Sequence, residues 1–295
     1  MAEFSKWVDA APDDGLVDVA RLSLRSRLEP IVHYAPLAAK GTVQDIECVH
    51  QMRVWSRRTA AAMKLYRGLL PKRRRKWLNS TLKEIRDCAS DARDDDVFAA
   101  RLEQEADPRA ARVLDTVRSH RSAAQRPINR LVAALFRQHR FPHRVEKLID
   151  KVQIRDGVQS QSPHHFHAWA VPQLAAQVDA FFQAAEGDFS QYSELHRFRI
   201  AGKQIRYVVE LLASAFDSSL RKETYPRIQD LQDRLGEIND HASAVQRLEG
   251  WIDQAEAEPQ RAFLRELQQA ESARMTQLRE AFLDWWTGSI IDCLR

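Results

Sequence analysis

The sequence feature that most constrains the fold of this chain is a stretch, His50–Arg93, that occurs twice. Shifting the numbering by 146 positions brings matching residues together without a gap: His50 with His196, Arg53 with Arg199, Arg57 with Lys203, Leu65 with Leu211, Ile85 with Leu231 and, one residue past the stretch, Asp94 with Asp240. A long unit that matches at both ends with a single offset indicates an internal duplication. We therefore expect two related halves, each built on one copy of the stretch.

The composition of the chain predicts that both halves are helical. Leu, Ala, Arg, Gln and Glu dominate its 295 residues, and all five are good helix formers. Glycine occurs only 9 times, and alternating runs of Val, Ile and Thr are nearly absent. The fold class that we predict is all-α, with a first helical repeat at 16–140, a linker at 141–165 and a second helical repeat at 166–295.

Helix-breaking and helix-capping residues divide the chain into expected helices. We place these helices at 16–39, 45–70, 72–105, 110–125, 127–139, 166–185, 192–216, 220–255 and 259–294. Asp45 suits the N-cap of the second helix. The segment that starts at Phe141 is expected to be irregular, and with Gly157 and Pro163 it is the best candidate for the linker.

The charge of the chain is unevenly distributed, although its formal net value is only +4. Between His50 and Arg93 there are thirteen Lys or Arg residues against three acids, whereas the segment from Leu248 onward has nine acids against five arginines. A concentrated positive field predicts an anionic partner: nucleic acid, a phosphate polymer or an acidic membrane. A single basic run of this kind more often forms a solvated helix face. The prediction of an anionic partner therefore depends on the recurrence of the cations in the second copy.

The cations of each copy fall along one helix face when a helix advances about 100° per residue. The first stripe contains His50, Arg53, Arg57, Lys64 and Arg67, and the second contains His196, Arg199, Lys203 and Arg206. A salt-bridged helix surface usually has an acid four residues after a cation, and in the two stripes Glu210 is the only such acid. Because these side chains all donate to phosphate oxygens, each stripe predicts phosphate binding. We add Lys83 and Arg86 from the same basic stretch to the predicted binding residues.

Asp94 and Asp240 occupy equivalent places in the two copies. An acid fits an anion-binding site when it orients the neighbouring cations, so we predict that both pair with stripe residues and fix their rotamers. Asp95 and Asp96 suit a plain helix surface equally well.

No metal, cofactor or membrane is expected from the remaining residues. Cysteine occurs singly at Cys48, Cys88 and Cys293, without the spacing of a zinc site or a disulfide framework. The histidines His164, His165 and His167 lie in a loop-like stretch without acidic company, so a metal there is not predicted. The chain shows no signal peptide and no apolar run long enough to cross a bilayer, which predicts a cytoplasmic protein.

These motifs resemble those of the CHAD domain, the conserved histidine α-helical domain. The motifs are H-x-x-R-V-x-x-R-R at 50–58, A-R-D-x-D at 92–96, H-x-x-R-I-x-x-K-x-x-R-Y at 196–207 and L-G-x-x-N-D at 235–240. The resemblance spans nearly the whole chain. It implies a single unit over 1–295 in which two pseudo-symmetric helical bundles, with long antiparallel helices, surround a basic cavity that binds inorganic polyphosphate without catalysis.

The resemblance also implies which positions contact polyphosphate. They are His50, Arg53, Arg57, Arg58, His196, Arg199, Lys203 and Arg206. Ala60 departs from the family pattern, which usually has a basic residue there, and Lys64, Arg67 or the run at 72–76 could compensate. Some relatives carry a fused triphosphatase domain marked by an E-x-E-x-K strand. That motif is missing here, so we predict no hydrolysis. From the polyphosphate binding that the resemblance implies, we expect an association with polyphosphate granules.

Nucleic acid is the stronger competing partner, because any phosphate polymer responds to a cationic stripe. Base-reading proteins usually add exposed aromatic residues, and near the stripes only Tyr66 and Tyr207 qualify, both toward the packing side. A general polyanion surface and a basic face that docks an acidic protein remain alternatives. The hypothesis of a terpene synthase is disfavoured, because the Asp94–Asp96 run lacks the third acid of the magnesium-binding motif of those enzymes. We predict a binding protein, not an enzyme.

Overall fold

The computed structural model describes residues 4–40, 46–104, 107–154, 164–255 and 257–286, and within them it confirms an all-α fold. The α-helices are α1 (Leu16–Ala38), α2 (Ile46–Leu65), α3 (Lys72–Cys88), α4 (Ser90–Leu102), α5 (Ala110–Phe136), α6 (Arg140–Ile149), α7 (Phe166–Ala185), α8 (Tyr192–Leu212), α9 (Tyr225–Gln254) and α10 (Glu258–Trp285). These ranges contain no β-strand, only an isolated bridge between Gly15 and His165. None of the described helices is long and apolar enough to cross a membrane.

Two predicted helix boundaries between α3 and α5 are wrong. The expected helix at 72–105 is two helices, because Ala89 takes non-helical angles (φ −103°, ψ 6°) between α3 and α4. The expected helices at 110–125 and 127–139 form one helix, α5, that continues through Pro127. Val113, Val117, Ile128 and Val132 are all buried along α5. Burial of this continuous apolar face offsets the cost of an internal proline, about 3 kcal/mol.

The predicted linker at 141–165 begins with an ordered helix rather than an irregular segment. Helix α6 buries Phe141, Val145, Leu148 and Ile149, which recur every three to four residues. Residues 155–163 of that linker, like the proposed N-cap Asp45, lie outside the described residues.

The chain divides into two compact units. Unit 1 comprises residues 1–173 with 210–216, and unit 2 comprises residues 174–209 with 217–295. The internal duplication and its division into repeats at 16–140 and 166–295 stay predictions.

Unit 1 is built from α1 to α6, with α1 against α2 and α4 against α5. Its core includes a fully buried tyrosine, Tyr66, whose ring stacks on Trp169 at 5.2 Å. The Tyr66 hydroxyl lies 3.0 Å from the Ser23 hydroxyl. Burial raises the pKa of Tyr66 to about 12, so it is neutral and serves packing.

Three histidines around the start of α7 bind the backbone of unit 1, two of them in its N-terminal segment. Nδ1 of His165 donates to the Asp13 carbonyl at 3.0 Å, and Nδ1 of His167 donates to the Ala215 carbonyl at 2.7 Å. The His164 carbonyl accepts from the Leu16 amide at 2.9 Å. These histidines therefore have structural partners in the backbone.

Unit 2 has an aromatic core where α8 meets the residues that flank it. The Phe198 ring lies 5.1 Å from Phe181 and 5.0 Å from Phe189, and Phe282 of α10 lies 6.0 Å from Phe189. Rings at such distances add specific attraction to the area that they bury. This core holds α8, and thereby the second stripe, in a fixed rotation.

Candidate functional site

A group of cations converges in unit 1 where α2 lies beside α3 and α4. We call it the His50 cluster, and it consists of His50, Arg53, Arg57, Arg86 and Arg93. The pKa of His50 is lowered first by burial and then by the charges of Arg93, Arg57 and Arg53, while Glu47 opposes the shift. Burial, with the neighbouring cations adding to it, therefore favours the neutral imidazole.

Arg53 is the most firmly held member of the His50 cluster. It is 7% exposed, and its Nη1 donates to the Arg86 carbonyl at 2.6 Å and to the Ser90 hydroxyl at 2.8 Å. Burial, followed by the charges of Arg57 and Arg93, lowers its pKa to about 10. Arg53 thus stays charged near neutral pH, in a place where like charges are only partly screened by solvent.

The break between α3 and α4 shapes the His50 cluster. Ser90, the first residue of α4, accepts from Arg53, and the new helix carries Arg93 to the side of His50. Sequence reasoning missed Arg93, although it lies inside the A-R-D-x-D motif. Reading that motif as a source of cations, rather than of acids alone, would have found it.

Arg86 was predicted and lies in the His50 cluster. Its pKa is lowered by burial and then by the charge of Arg57. Its Nη1 makes a long contact of 3.4 Å with the Ser56 carbonyl.

Arg58, which the resemblance implies as a polyphosphate contact, pairs with an acid in the structure. Its Nε and Nη2 donate to the two carboxylate oxygens of Glu210 at 2.8 and 3.0 Å. The Arg58 side chain is 13% exposed and that of Glu210 is fully buried. Arg58 also lies over the Trp55 ring, 4.7 Å from its centroid. This guanidinium neutralises a buried acid inside unit 1.

Three other predicted binding residues lie on the surface of unit 1. Lys64 and Arg67 are exposed at the end of α2 and in the turn that follows. Lys83 is exposed on α3 and forms an ion pair with Asp87, one helical turn away. Exposed pairs of this kind contribute at most about 1 kcal/mol, so Lys83 remains available to a stronger anion.

A second polar group lies in unit 2, between α8 and α9. We call it the His196 cluster, and it consists of Tyr192, His196, Arg199, Asn239 and Asp240. Nδ1 of His196 donates to the Asn239 amide oxygen at 3.2 Å, and the Tyr192 hydroxyl donates to the same oxygen at 3.5 Å. The bond at Nδ1 selects one tautomer and leaves Nε2 for another partner.

The remaining residues of the second stripe continue along α8. Lys203 and Arg206 are half-buried, about two and three helical turns beyond His196. The Arg206 guanidinium lies 5.1 Å from the centroid of the Tyr207 ring. The helix that carries His196 therefore has two further cations along its length.

The two aspartates predicted to orient cations lie beside the clusters. The charge of Asp94 acts on Arg53 and opposes the lowering of its pKa. Burial raises the pKa of Tyr192, the charge of Asp240 adds to the rise, and that of Arg199 opposes it. Asp94 therefore lies close to a stripe residue, whereas Asp240 lies close to Tyr192. The orienting role of both acids stays a prediction.

Asp95 and Asp96 are buried, which excludes the plain helix surface for both. Asp96 accepts from Nε of Arg121 on α5 at 2.7 Å, and burial raises its pKa despite that partner. Within the motif at 92–96, Arg93 therefore belongs to the His50 cluster, whereas Asp96 lies in the α4–α5 interface.

Fold and site together define an all-α protein in which cations gather around a histidine on a long helix. The chain belongs to the CHAD domain family, whose model matches residues 23–249, and the predicted resemblance is thereby confirmed.

Solved structures show the same fold. The chain is similar to the CHAD domain from the plant Ricinus communis, with 22% identity and a TM-score of 0.74 over 95% of this chain and 96% of that chain. It is also similar to PptA from Streptomyces chartreusis, with 15% identity and a TM-score of 0.66 over 92% and 99%. No curated protein sequence matches significantly. Identities this low carry the fold and no more.

Proposed function

We propose that the protein binds inorganic polyphosphate, without catalysing its hydrolysis, through the His50 and His196 clusters. The observation that carries the proposal is the gathering of His50 and four buried or half-buried arginines where α2 lies beside α3 and α4. Burial and neighbouring cations together lower the pKa values of His50, Arg53 and Arg86. An anion that enters this group relieves the repulsion and gains charge-assisted hydrogen bonds.

A phosphate chain without bases suits the His50 cluster better than nucleic acid does. Single-stranded nucleic acids are usually bound through aromatic rings on which bases stack. The two rings on α2 and its end are occupied: Tyr66 stacks on Trp169, and Trp55 is covered by Arg58. In the His196 cluster, however, Tyr192 is 38% exposed, so single-stranded DNA is the proper competitor.

The decisive experiment is a titration with long-chain polyphosphate at physiological salt, competed by single-stranded DNA at equal phosphate concentration. The variant Arg57→Gln/Arg93→Gln removes two half-buried cations of the His50 cluster. The control Arg112→Gln/Arg130→Gln removes the same charge from exposed positions on α5. We expect the cluster variant to weaken polyphosphate binding tenfold or more, since each charge-assisted bond contributes about 1.5–3 kcal/mol, and the control to change it little.

The salt dependence gives a second readout of the same contacts. Binding that releases counterions weakens linearly with the logarithm of salt, by about 0.7 per phosphate neutralised on a single strand. The cluster variant should therefore reduce the slope by about 1.4 if both arginines bind phosphate. Equal competition by DNA indicates a general polyanion surface. Unchanged affinity in a folded cluster variant refutes the proposal.

Polyphosphate granules in the cytoplasm are the cellular site that we propose. A fluorescently tagged chain should gather where polyphosphate is stained, and the tagged Arg57→Gln/Arg93→Gln variant should be dispersed. Wild-type protein that stays dispersed in polyphosphate-rich cells would contradict the granule assignment.

A further inference from the structure

Unit 1 carries a second basic surface, on the first turns of α3 and the exposed side of α6. We call it the α3–α6 patch, and it consists of Arg73, Arg74, Trp77, Arg140 and Arg144. The Arg144 guanidinium lies over Trp77, 4.1 Å from the ring centroid. On α6 the buried Phe141 lies 6.0 Å from the same ring. The two helices are thus joined by a cation–aromatic contact and by an aromatic pair in which Phe141 is buried.

The charges of the α3–α6 patch repel one another across both helices. Arg73, Arg140 and Arg144 are exposed. The pKa of Arg144 is lowered by burial and then by the charges of Arg140, Arg73 and Arg74. The one acid of α6, Glu146, pairs instead with Arg25 of α1 at 3.3 Å.

The start of α3 adds to this repulsion. Its first turn contains no acid, and the N-cap residue Pro71 offers no side-chain hydrogen bond. Basic residues at a helix N-terminus oppose the helix dipole, by about 0.3–1 kcal/mol for each charge. A bound anion would relieve both the dipole and the like charges.

The α3–α6 patch lies on the same helix as part of the His50 cluster. Twelve residues separate Arg74 from Arg86 along α3, which corresponds to about 18 Å at 1.5 Å per residue. A phosphate chain can cross that distance only if it is long. Three linked phosphates reach one group of cations but not both.

We propose that the α3–α6 patch binds the continuation of a polyphosphate chain held by the His50 cluster, and so makes the protein selective for long chains. This inference rests on the proposed function. Once one part of the chain is bound, the second contact becomes intramolecular and raises affinity without requiring a strong site.

The surroundings of the α3–α6 patch favour a phosphate chain over other polyanions. Within the part of the chain that the structure describes, α3 and α6 carry none of the large exposed apolar residues that insert into membranes. Trp77 already has Arg144 over its ring and Phe141 beside it. The ring is therefore committed to the interface between the helices and is poorly placed to stack on a base.

The test compares long-chain polyphosphate with tripolyphosphate in the full chain. The variant Arg73→Gln/Arg140→Gln removes two exposed patch charges and keeps the Arg144–Trp77 contact. We expect long-chain affinity to fall about tenfold, as for two lost surface phosphate contacts, while tripolyphosphate affinity stays within about twofold. The control Arg112→Gln/Arg130→Gln should leave both affinities unchanged.

Every other outcome separates this inference from the proposed function. Unchanged long-chain affinity in Arg73→Gln/Arg140→Gln overturns the patch, while the loss caused by Arg57→Gln/Arg93→Gln would still support the His50 cluster. An equal loss for long and short chains, or for the control, indicates a general field effect and also overturns the patch. If vesicles of acidic phospholipid lose binding but polyphosphate does not, the patch is a membrane surface instead.

Discussion

The ion pair between Arg58 and Glu210 allows a direct test of whether Arg58 stabilises the fold or binds polyphosphate. The change is Arg58→Met, which keeps an apolar side chain beside Trp55 but removes the guanidinium. Glu210 is fully buried and receives two hydrogen bonds, at 2.8 and 3.0 Å, from Arg58. Removing one partner of a buried ion pair typically destabilises a protein by about 3–5 kcal/mol.

This destabilisation is large enough to measure by heat or denaturant. For a cooperative unit of 150 to 250 residues, about 3–5 kcal/mol lowers the melting temperature by roughly 6–20 °C. Loss of the Arg58–Trp55 contact contributes about 0.5–1 kcal/mol more. The assay is thermal and urea unfolding, followed by circular dichroism, of Arg58→Met and the wild type.

The second variant isolates the pair from other effects of the substitution. Arg58→Met/Glu210→Leu removes both charges, and replacing a buried pair by apolar residues is often neutral or stabilising. We expect the double variant to regain most of the lost stability and to bind polyphosphate nearly as well as the wild type. A loss below about 1 kcal/mol in Arg58→Met, together with a tenfold loss of polyphosphate affinity, would refute the structural role and return Arg58 to the binding residues.

Three further outcomes follow from individual groups. The lowered pKa of His50 favours the neutral imidazole in the free protein, and a bound polyanion raises that pKa. Affinity should therefore increase as the pH falls toward the lowered pKa of the free protein, with proton uptake in calorimetry that His50→Gln abolishes. The pKa of Asp96 is raised in the folded state, so raising the pH above about 3.8 should destabilise the wild type relative to Asp96→Asn, as urea unfolding at several pH values would show. Burial first raises the pKa of Cys88 to about 11, so in a Cys293→Ser variant iodoacetamide should modify Cys88 far more slowly in the folded protein than in the unfolded one. Equal alkylation rates would contradict this.

The predicted stripe on α2 shows what helical periodicity can establish. His50, Arg53 and Arg57 share one helix face because residues three and four apart are neighbours on a helix. That rule needs only local geometry, and the three residues do form part of one cluster. The fold class was equally accessible, since residue propensities summed over long segments are informative.

Local rules could not find the break at Ala89 or the continuity at Pro127. The segment around Ala89 contains no glycine or proline, yet the chain leaves the helical region there. Pro127, a strong helix breaker by itself, lies inside α5. At both places the packing of neighbouring helices decides the backbone, and packing is not visible in local sequence. The break also moves Arg93 into the His50 cluster, so one missed boundary concealed one residue of the proposed binding site.

The partners of the cations were beyond sequence reasoning for a related reason. Arg58 lies 152 residues from Glu210 in the chain, and no spacing rule connects them. The offset of 146 that aligns the histidines places Glu210 at the position of Lys64, and Asn239 at that of Arg93. His50 is consequently surrounded by arginines, whereas His196 donates to an amide. If the copies share an ancestor, they have kept the cations of the stripe and changed the residues that hold them. In the proposed function, the His50 cluster supplies cations whose repulsion an anion relieves, and the His196 cluster supplies a histidine whose Nδ1 already has a partner.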